Sequence, residues 1–487
     1  MSSLAPQDAT MYWLSRRIRN DQFLLYCFAE SECGTPELRR AIVDRCAAIP
    51  ELRVRLREDP TGLSYPRWVP CVPASDQFVD HASQGWGWSR LLRALGELLH
   101  TGVDPVYRPW RLHVFRGIRE APTGDPFSTV VVLQTSHALA DGRGAARLAR
   151  GLFTGSGETE RSGTDRNIAV PRIGGRAPGA ETAVPDRERG VARWPGRAVR
   201  AVASRFPAGY AAARMPTDIV RTLGRGVRAH RAQRELARLT SEGRLPGPAP
   251  GYPPGPLNGP EQVTGHTVRV IVRPVEDFRV SGHSITVVAL TAVSLAVERY
   301  LASRGESVRR LGAQVPMALP EVAGVRNNYR SLGVDLCAGE SDLRRRAAAI
   351  AEVLAARRSR AVHPLLAVQD AVTAAVPALV HRRDVQRFPI ETIPGTVAGH
   401  TVLSSVDRGP ADLTFGGAPV RFTAGFPALG SVMHLTHGLH GLGGTVTFSV
   451  HADPAAVPDI DVYTERLRSA LGEVVAAHRM SPGSPGP

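Results

Sequence analysis

A span without regular pattern, from Thr154 to about Pro260, splits the sequence into two blocks that each alternate strand-like and helix-like periodicity. It opens with TGSGETERSGTDR and closes with PGPAPGYPPGPLNGP, turn-forming compositions that bracket a basic stretch. The division predicts an N-terminal unit at 1–153, a Gly/Pro/Arg-rich linker with a basic helix at 154–260, a C-terminal unit at 261–478 and a tail at 479–487.

In the first block RNDQFLLYCFAE and PFSTVVVLQTS read as strands, while TPELRRAIVDRCAAI and WSRLLRALGELLH space their apolar residues by three and four, as helices do. In the second, HTVRVIVRPV predicts a strand and SITVVALTAVSLAVERYLASRG a long buried helix, with Ser284 as its N-cap and Gly305 past its end. LGAQVPMALP, PGTVAGHTVLSSV, APVRFTAGF and GTVTFSVHA predict further strands of that unit; SDLRRRAAAIAEVLAARR and DVYTERLRSALGEVVAAHR predict further helices. Both blocks therefore read as layered α/β units, a pseudo-duplicated pair. In the linker, Asp218 is expected to cap a helix with Ile219, Val220, Leu223 and Val227 on one side and Arg221, Arg225 and Arg228 on the other.

Composition narrows the class. Apolar residues at 43% and charged residues at 22% suit a globular chain and not a solvated polyampholyte. No uninterrupted apolar run of about 18 residues occurs, and the opening MSSLAPQDATMYWLSRR lacks a leader's basic and apolar regions, so the expectation is a cytoplasmic protein. Cys27, Cys33, Cys46, Cys71 and Cys337 are scattered without a CxxC, so neither a disulfide scaffold nor structural zinc is expected. The net charge is +15, and all 60 basic residues are arginine. Eleven of them lie between residues 190 and 240, against Asp218 and Glu235 alone. A solvated linker face is the plain reading; the alternative is an anionic membrane or lipid-droplet surface, to which each arginine would add about 1 kcal/mol. Only Trp194, Phe206 and Tyr210 interleave the stretch and no DNA-binding motif accompanies it, so nucleic acid is not an expected partner.

The chemistry concentrates after the strand that ends at Gln134 and Thr135. There follow Ser136, His137, Ala138, Leu139, Ala140, Asp141 and Gly142, then the helical pattern GRGAARLARGLF. A histidine at a strand end is held rigidly where its side chain can face a cleft, and near pH 7 its neutral ring can accept a hydroxyl proton. Asp141-Gly142 suits a sharp turn into a helix, the carboxylate capping backbone N–H groups or holding an arginine. On its own, HxxxDG arises by chance in roughly one chain in fifteen of this composition. His434, His437 and His440 in MHLTHGLHGLGG would share a helical face, but the glycines oppose a helix and a strand would turn neighbouring members apart; no metal site is expected. His283, just before the long helix, reads as structural.

SHALADG with its preceding strand resembles the HHxxxDG signature of the bacterial wax ester synthase/diacylglycerol acyltransferase family, part of a superfamily of CoA-dependent acyltransferases and peptide-synthetase condensation domains. Further segments match in order: Leu4, Pro6 and Asp8 in LAPQDATMYW; Trp68, Phe78 and His81 in RWVPCVPASDQFVDHA; DPVYRPWRLHVFRGI; Leu257 and Asn258 in GPLNGP; VPMALP; RNNYRSLGVDL; and SSVDRGPADLTFGGAPV. The resemblance implies a fold of two chloramphenicol-acetyltransferase-like subdomains, mixed sheets flanked by helices, with a tunnel between them.

It also implies an acyl-CoA-dependent O-acyltransferase that esterifies a hydrophobic alcohol, diacylglycerol or a long-chain alcohol, with His137 as general base and no cofactor or metal beyond the acyl-CoA substrate. Asp141 and Gly142 would shape the loop; Ser136, Thr286, Ser404 and Ser405 would form a polar shell or contact substrate. The enzyme would sit peripherally on the inner membrane or lipid droplets; its oligomeric state is left open. Ser136 stands where the family has its first histidine, Thr286 and Val287 align with its Asn-Asp pair, Ser405 with an asparagine, and Asp407-Arg408 replace a proline before Gly409-Pro410. These departures keep two alternatives open: a catalytically weakened acyl- or lipid-binding relative, and a condensation-type acyltransferase of specialised metabolism.

Overall fold

The computed structural model describes residues 2–154, 207–259, 263–306 and 310–479, without the side chains of 207–223. The first block contains α1 (Pro6–Ser15), β1 (Gln22–Ala29), α2 (Thr35–Ala47), β2 (Val54–Arg57), β3 (Arg67–Pro70), β4 (Phe78–His81), α3 (Trp88–Leu99), β5 (Trp110–Ile118), β6 (Ser128–Thr135) and α4 (Gly142–Phe153). A long helix, α5 (Pro207–Ser241), stands in the linker. The second block contains β7 (Thr267–Pro274), α6 (Ile285–Ser303), β8 (Gly312–Ala318), β9 (Tyr329–Asp335), α7 (Leu343–Ala361), α8 (Pro364–Thr373) and α9 (Ala378–Arg387). It closes with β10 (Thr401–Asp407), β11 (Thr414–Phe415), β12 (Ala418–Gly425), β13 (Leu435–Leu442), β14 (Thr445–Ala452) and α10 (Ile460–Arg479).

Two six-stranded mixed sheets result, ordered β11-β12-β1-β6-β5-β4 and β7-β14-β13-β10-β8-β9. The first corrects the expected partition: APVRFTAGF, assigned to the C-terminal unit at 261–478, forms β12 and pairs antiparallel with β1, Tyr26 opposite Thr423. A lone 1–153 unit would leave the apolar β1 at a sheet edge with unpaired N–H and C=O groups; β12 covers it. The two units are therefore interlocked by strand exchange.

β6 is buried along its whole length, so its continuous apolar run is that of an interior strand. On one side of the first sheet Leu24, Tyr26 and Phe28 pack with Leu133, Phe153 and Ile42; on the other, Leu25, Phe23 and Val132 pack with Leu91 and Leu95 of α3. The second sheet buries Leu403, Leu439, Phe448 and Val450 against α6 and α10. α6 is long and apolar enough to cross a membrane, yet its side chains are mostly inside this core. Ser284 caps it, accepting from the Val287 N–H at 3.4 Å, and Gly305 follows with φ of 73°, where a Cβ would be strained.

The linker helix differs from expectation at its start. α5 begins at Pro207, so Asp218 lies inside it and not at its cap, and Gly224 and Gly226 are carried within the helix. Residues 155–206, which hold the first part of the arginine-rich stretch, and residues 480–487 of the expected tail lie outside the described residues.

Candidate active site

The SHALADG segment is the connection from β6 to α4. Ser136 is buried with its Oγ turned into its own loop, accepting from the Ala138 N–H at 3.3 Å, while its carbonyl accepts from Leu139 N at 2.9 Å. Asp141 is the N-cap of α4, its Oδ1 accepting from Gly144 N at 2.8 Å. A Cβ at Gly142 would meet Val406 at 3.7 Å, so this residue marks where β10 of the second sheet touches the loop. Gln22 of β1 donates to the Ala140 carbonyl and ties the loop back to the first sheet.

His137 sits at the centre of this connection, and the second unit supplies its partner. Its Nδ1 lies 2.7 Å from Oδ1 of Asn327, just before β9. The orientation of that amide follows from its other bonds: Nδ2 donates to the carbonyl of His137 at 2.7 Å and to Oδ1 of Asp8 at 3.0 Å. With both amide hydrogens spent, Oδ1 faces the ring as an acceptor, and Nδ1 of His137 must carry the proton. Nε2 is then the basic nitrogen. Protein surrounds the ring, and this desolvation holds its pKa below 6.5 against the opposing pull of the Asn327 bond and the Asp141 and Asp8 charges. The imidazole is therefore neutral at pH 7.

Arg326 completes the clamp. Its Nη1 donates to Leu139 O at 2.9 Å, its carbonyl accepts from Asp141 N at 3.2 Å, and its guanidinium lies 4.9 Å from the Trp68 ring centroid. Tyr329, two residues beyond Asn327, brings its ring to 6.1 Å from that of His137. Burial pushes the Tyr329 hydroxyl's pKa up, with the Asp141 charge adding to it, so it stays protonated at neutral pH.

The expected shell residues divide between two faces of β10. Side chains alternate along a strand, so Ser404 shares the side of Val406, which meets the SHALADG loop, and Ser405 points the other way. There Thr286 of α6 donates to Ser405 Oγ at 3.3 Å, so these two residues reach each other across the helix–sheet junction. Ser136, which bonds within its own turn, has no hydrogen bond to the imidazole.

Arg408, one of the Asp407-Arg408 pair that replaces a proline in the resembled pattern, is buried between the units. It donates to Thr423 Oγ1 and, at 2.8 Å, to Ala424 O, and stacks 5.3 Å from the Tyr26 ring centroid. Asp407 accepts from Gly409 N at 3.0 Å. The three spaced histidines lie on or beside β13. His434 bonds Asp453 at 2.9 Å, His437 bonds Tyr463 Oη at 2.7 Å on the helix-covered face, and His440 points to the opposite face against Gly425. Among the described residues no group of three His, Cys, Asp or Glu has a metal-holding arrangement.

Asn327 is the residue that the sequence did not single out. It lies in the landmark RNNYRSLGVDL, but an asparagine there carries no signal of its role until the fold brings it to the histidine.

Solved structures match this chain along 98% of its length. One is the wax ester synthase/diacylglycerol acyltransferase from Marinobacter aquaeolei VT8, at 15% identity, with all of that chain covered and a TM-score of 0.59. Another is the first condensation domain of the CDA synthetase, at 16% identity, covering 97% of that chain with a TM-score of 0.57. A mutant starter condensation domain of rhizomide synthetase, solved with C8-CoA and Leu-SNAC, matches at 11% identity, 94% coverage and 0.54. No curated protein matches the sequence.

The fold is thus that of the two-sheet acyltransferases and condensation domains, mixed α/β with helices flanking each sheet. Within that class, residues 327–474 match the family described as the WS/DGAT C-terminal domain, so that over this region the resemblance read from the sequence is borne out.

Proposed function

We propose that the protein is an acyl-CoA-dependent O-acyltransferase that esterifies a hydrophobic alcohol, diacylglycerol or a long-chain alcohol, to triacylglycerol or wax ester, with His137 as general base. The observation that carries this reading is the His137–Asn327 bond, which leaves Nε2 neutral, basic and directed away from its protein partner. Nε2 takes the proton from the acceptor hydroxyl as the alkoxide oxygen attacks the thioester carbonyl. The C–S bond then breaks, and the CoA thiolate recovers the proton from the imidazolium. A thioester is already activated, so proximity and oxyanion stabilisation supply most of the remaining acceleration. The scheme calls on no cofactor besides the acyl-CoA substrate.

The acceptor's low solubility suggests where the enzyme works. On α5, Arg228, Arg231 and Arg234 are exposed, and Arg225 ties the helix to α8 through Ala371 O at 3.0 Å. In the separate α9 region Leu379, Val380 and Phe388 are exposed, as are Arg383 and Arg387. Basic and apolar side chains in this mixture suit peripheral attachment to an anionic inner-membrane or lipid-droplet surface.

The similar TM-scores to condensation domains favour one second reading, transfer to a specialised-metabolite alcohol or amine. The deciding experiment is CoA release from palmitoyl-CoA with diacylglycerol, hexadecanol or no acceptor, run beside His137→Ala. Release that depends on the lipid acceptor and is lost in the variant supports the proposal. Release that survives the substitution removes the assigned base; none with any acceptor favours the condensation-type or binding-protein alternatives.

A further inference from the structure

We propose that Asp8, in the first turn of α1, is a positioning residue that orients and electrostatically supports His137 through the Asn327 amide; this rests on the reading of His137 as the base.

Asp8 is buried, with 1% of its surface exposed. Its carboxylate accepts from Asn327 N at 2.8 Å, Asn327 Nδ2 at 3.0 Å and Arg326 N at 3.1 Å. All three neighbours are N–H donors, so the site is built for an ionised acceptor, and the α1 N-terminus adds a favourable dipole. Burial nonetheless raises its pKa, with the Asn327 and Arg326 bonds opposing that rise. A carboxylate held at this desolvation cost does two things that a neutral amide, which can turn a donor toward Asn327, would not. It pins Asn327 Nδ2, forbidding the amide flip that would present a donor to His137 Nδ1 and select the wrong tautomer. It also places a negative charge one amide away from the ring that becomes cationic during proton transfer.

The charged and titratable groups about the ring are Asp8 from α1, Asp141 from the loop, and Arg326 and Tyr329 from the run into β9. Asp141 is committed to the α4 cap and the Arg326 guanidinium to Leu139 O and Trp68, so Asp8 is the charge that bears on the ring through a hydrogen-bonded amide.

The test compares wild type, Asp8→Asn, and the swap variant Asp8→Asn with Asn327→Asp, reading kcat, KM, the pH profile and the 15N shifts of His137 in resting protein. Asp8→Asn is expected to lower kcat by about 10²-fold with little change in KM, to move the acid limb to lower pH, and to mix the His137 tautomers. The swap returns a carboxylate to the ring. It is expected to recover at least about tenfold of the lost rate and to move the acid limb above that of wild type. If Asp8→Asn does not fold, Asp8→Ser removes the charge with a smaller side chain and reads the same acid-limb shift. A folded variant with unchanged kcat and acid limb overturns the proposal, as does a rate loss with unaltered tautomer and no recovery in the swap. The 15N readout needs no turnover: a tautomer change in a protein that acylates nothing would uphold the Asp8 role while removing the proposed reaction.

Discussion

Nδ1 of His137 and Oδ1 of Asn327 meet at 2.7 Å although 190 residues separate them in the chain. One comes from the loop after β6 of the first sheet and the other from the approach to β9 of the second, so the site exists only where the two units are docked. Asp141 N donating to Arg326 O and Arg326 Nη1 donating to Leu139 O fasten the same junction.

Asn327→Leu removes the acceptor that holds the imidazole in its Nδ1–H form and leaves the buried Asp8 carboxylate short of its side-chain donor. The expected outcome is a fall in kcat of about 10²-fold, from the lost tautomer and orientation. A stability loss on the order of 1 to 3 kcal/mol should accompany it, from the under-satisfied carboxylate. Steady-state kinetics and urea unfolding of the same preparation separate the two effects.

The acid limb of kcat/KM is expected below pH 6.5. A general base must be neutral, and desolvation lowers the His137 pKa, so the midpoint of the acid limb should fall on the acid side of 6.5. A limb centred above 6.5 in the pH profile of palmitoyl-CoA turnover would contradict that ordering.

Global stability should fall steadily on mild acidification. Burial holds His113 to about 4 and His437 and His451 to about 3, all far below the value of about 6.5 for an unfolded histidine. Below pH 6.5 the unfolded chain binds protons that the native state refuses, so each costs about 2 kcal/mol by pH 5. The loss continues until the folded pKa is reached. Asp21, raised to about 6 by burial, acts in the opposite sense, its contribution being lost as pH rises through that value. Urea unfolding at pH 7 and pH 5 measures the net effect, and His437→Gln should flatten it.

Two glycines where the sheets approach should be far less replaceable than the glycine of the motif. A Cβ at Gly438 would collide with the carbonyl oxygen of Gly425, and one at Gly425 would stand 2.6 Å from Arg408 Nη2 and 2.8 Å from His440 Nε2. Backbone cannot yield as a side chain can, so Gly438→Ala is expected to destabilise by about 3 kcal/mol or more and Gly425→Ala by about 1 to 3. At Gly142 a Cβ would find only ordinary contacts, Val406 at 3.7 Å and Gln22 at 4.0 Å. Gly142→Ala should fold with nearly unchanged Tm, as differential scanning calorimetry would show.

Much of the secondary structure was legible from local pattern. Continuous apolar runs marked β1, β6 and the long buried helix α6, spacing by three and four marked α2 and α3, and the SHALADG turn, Asp141 cap and Ser284 cap are contacts among neighbours in sequence. Glycines in MHLTHGLHGLGG likewise pointed away from a helix, and β13 is a strand. The helices α8 and α9 were not foreseen; α8 is rich in apolar residues, Leu365, Leu366, Val368 and Val372 among them, yet none of them is fully buried.

What the amino-acid order determined by itself was therefore most of the elements and the chemistry of one loop, because those depend on residues a few positions apart. Tertiary structure alone decided that β12 would leave its own half to cover β1, that Thr286 would meet Ser405, and that Asn327 and Asp8 would stand behind His137. Strand pairing and the burial of polar groups are settled by whichever distant partner best satisfies backbone N–H, carbonyl and carboxylate together. That competition has no signature in any short stretch of sequence.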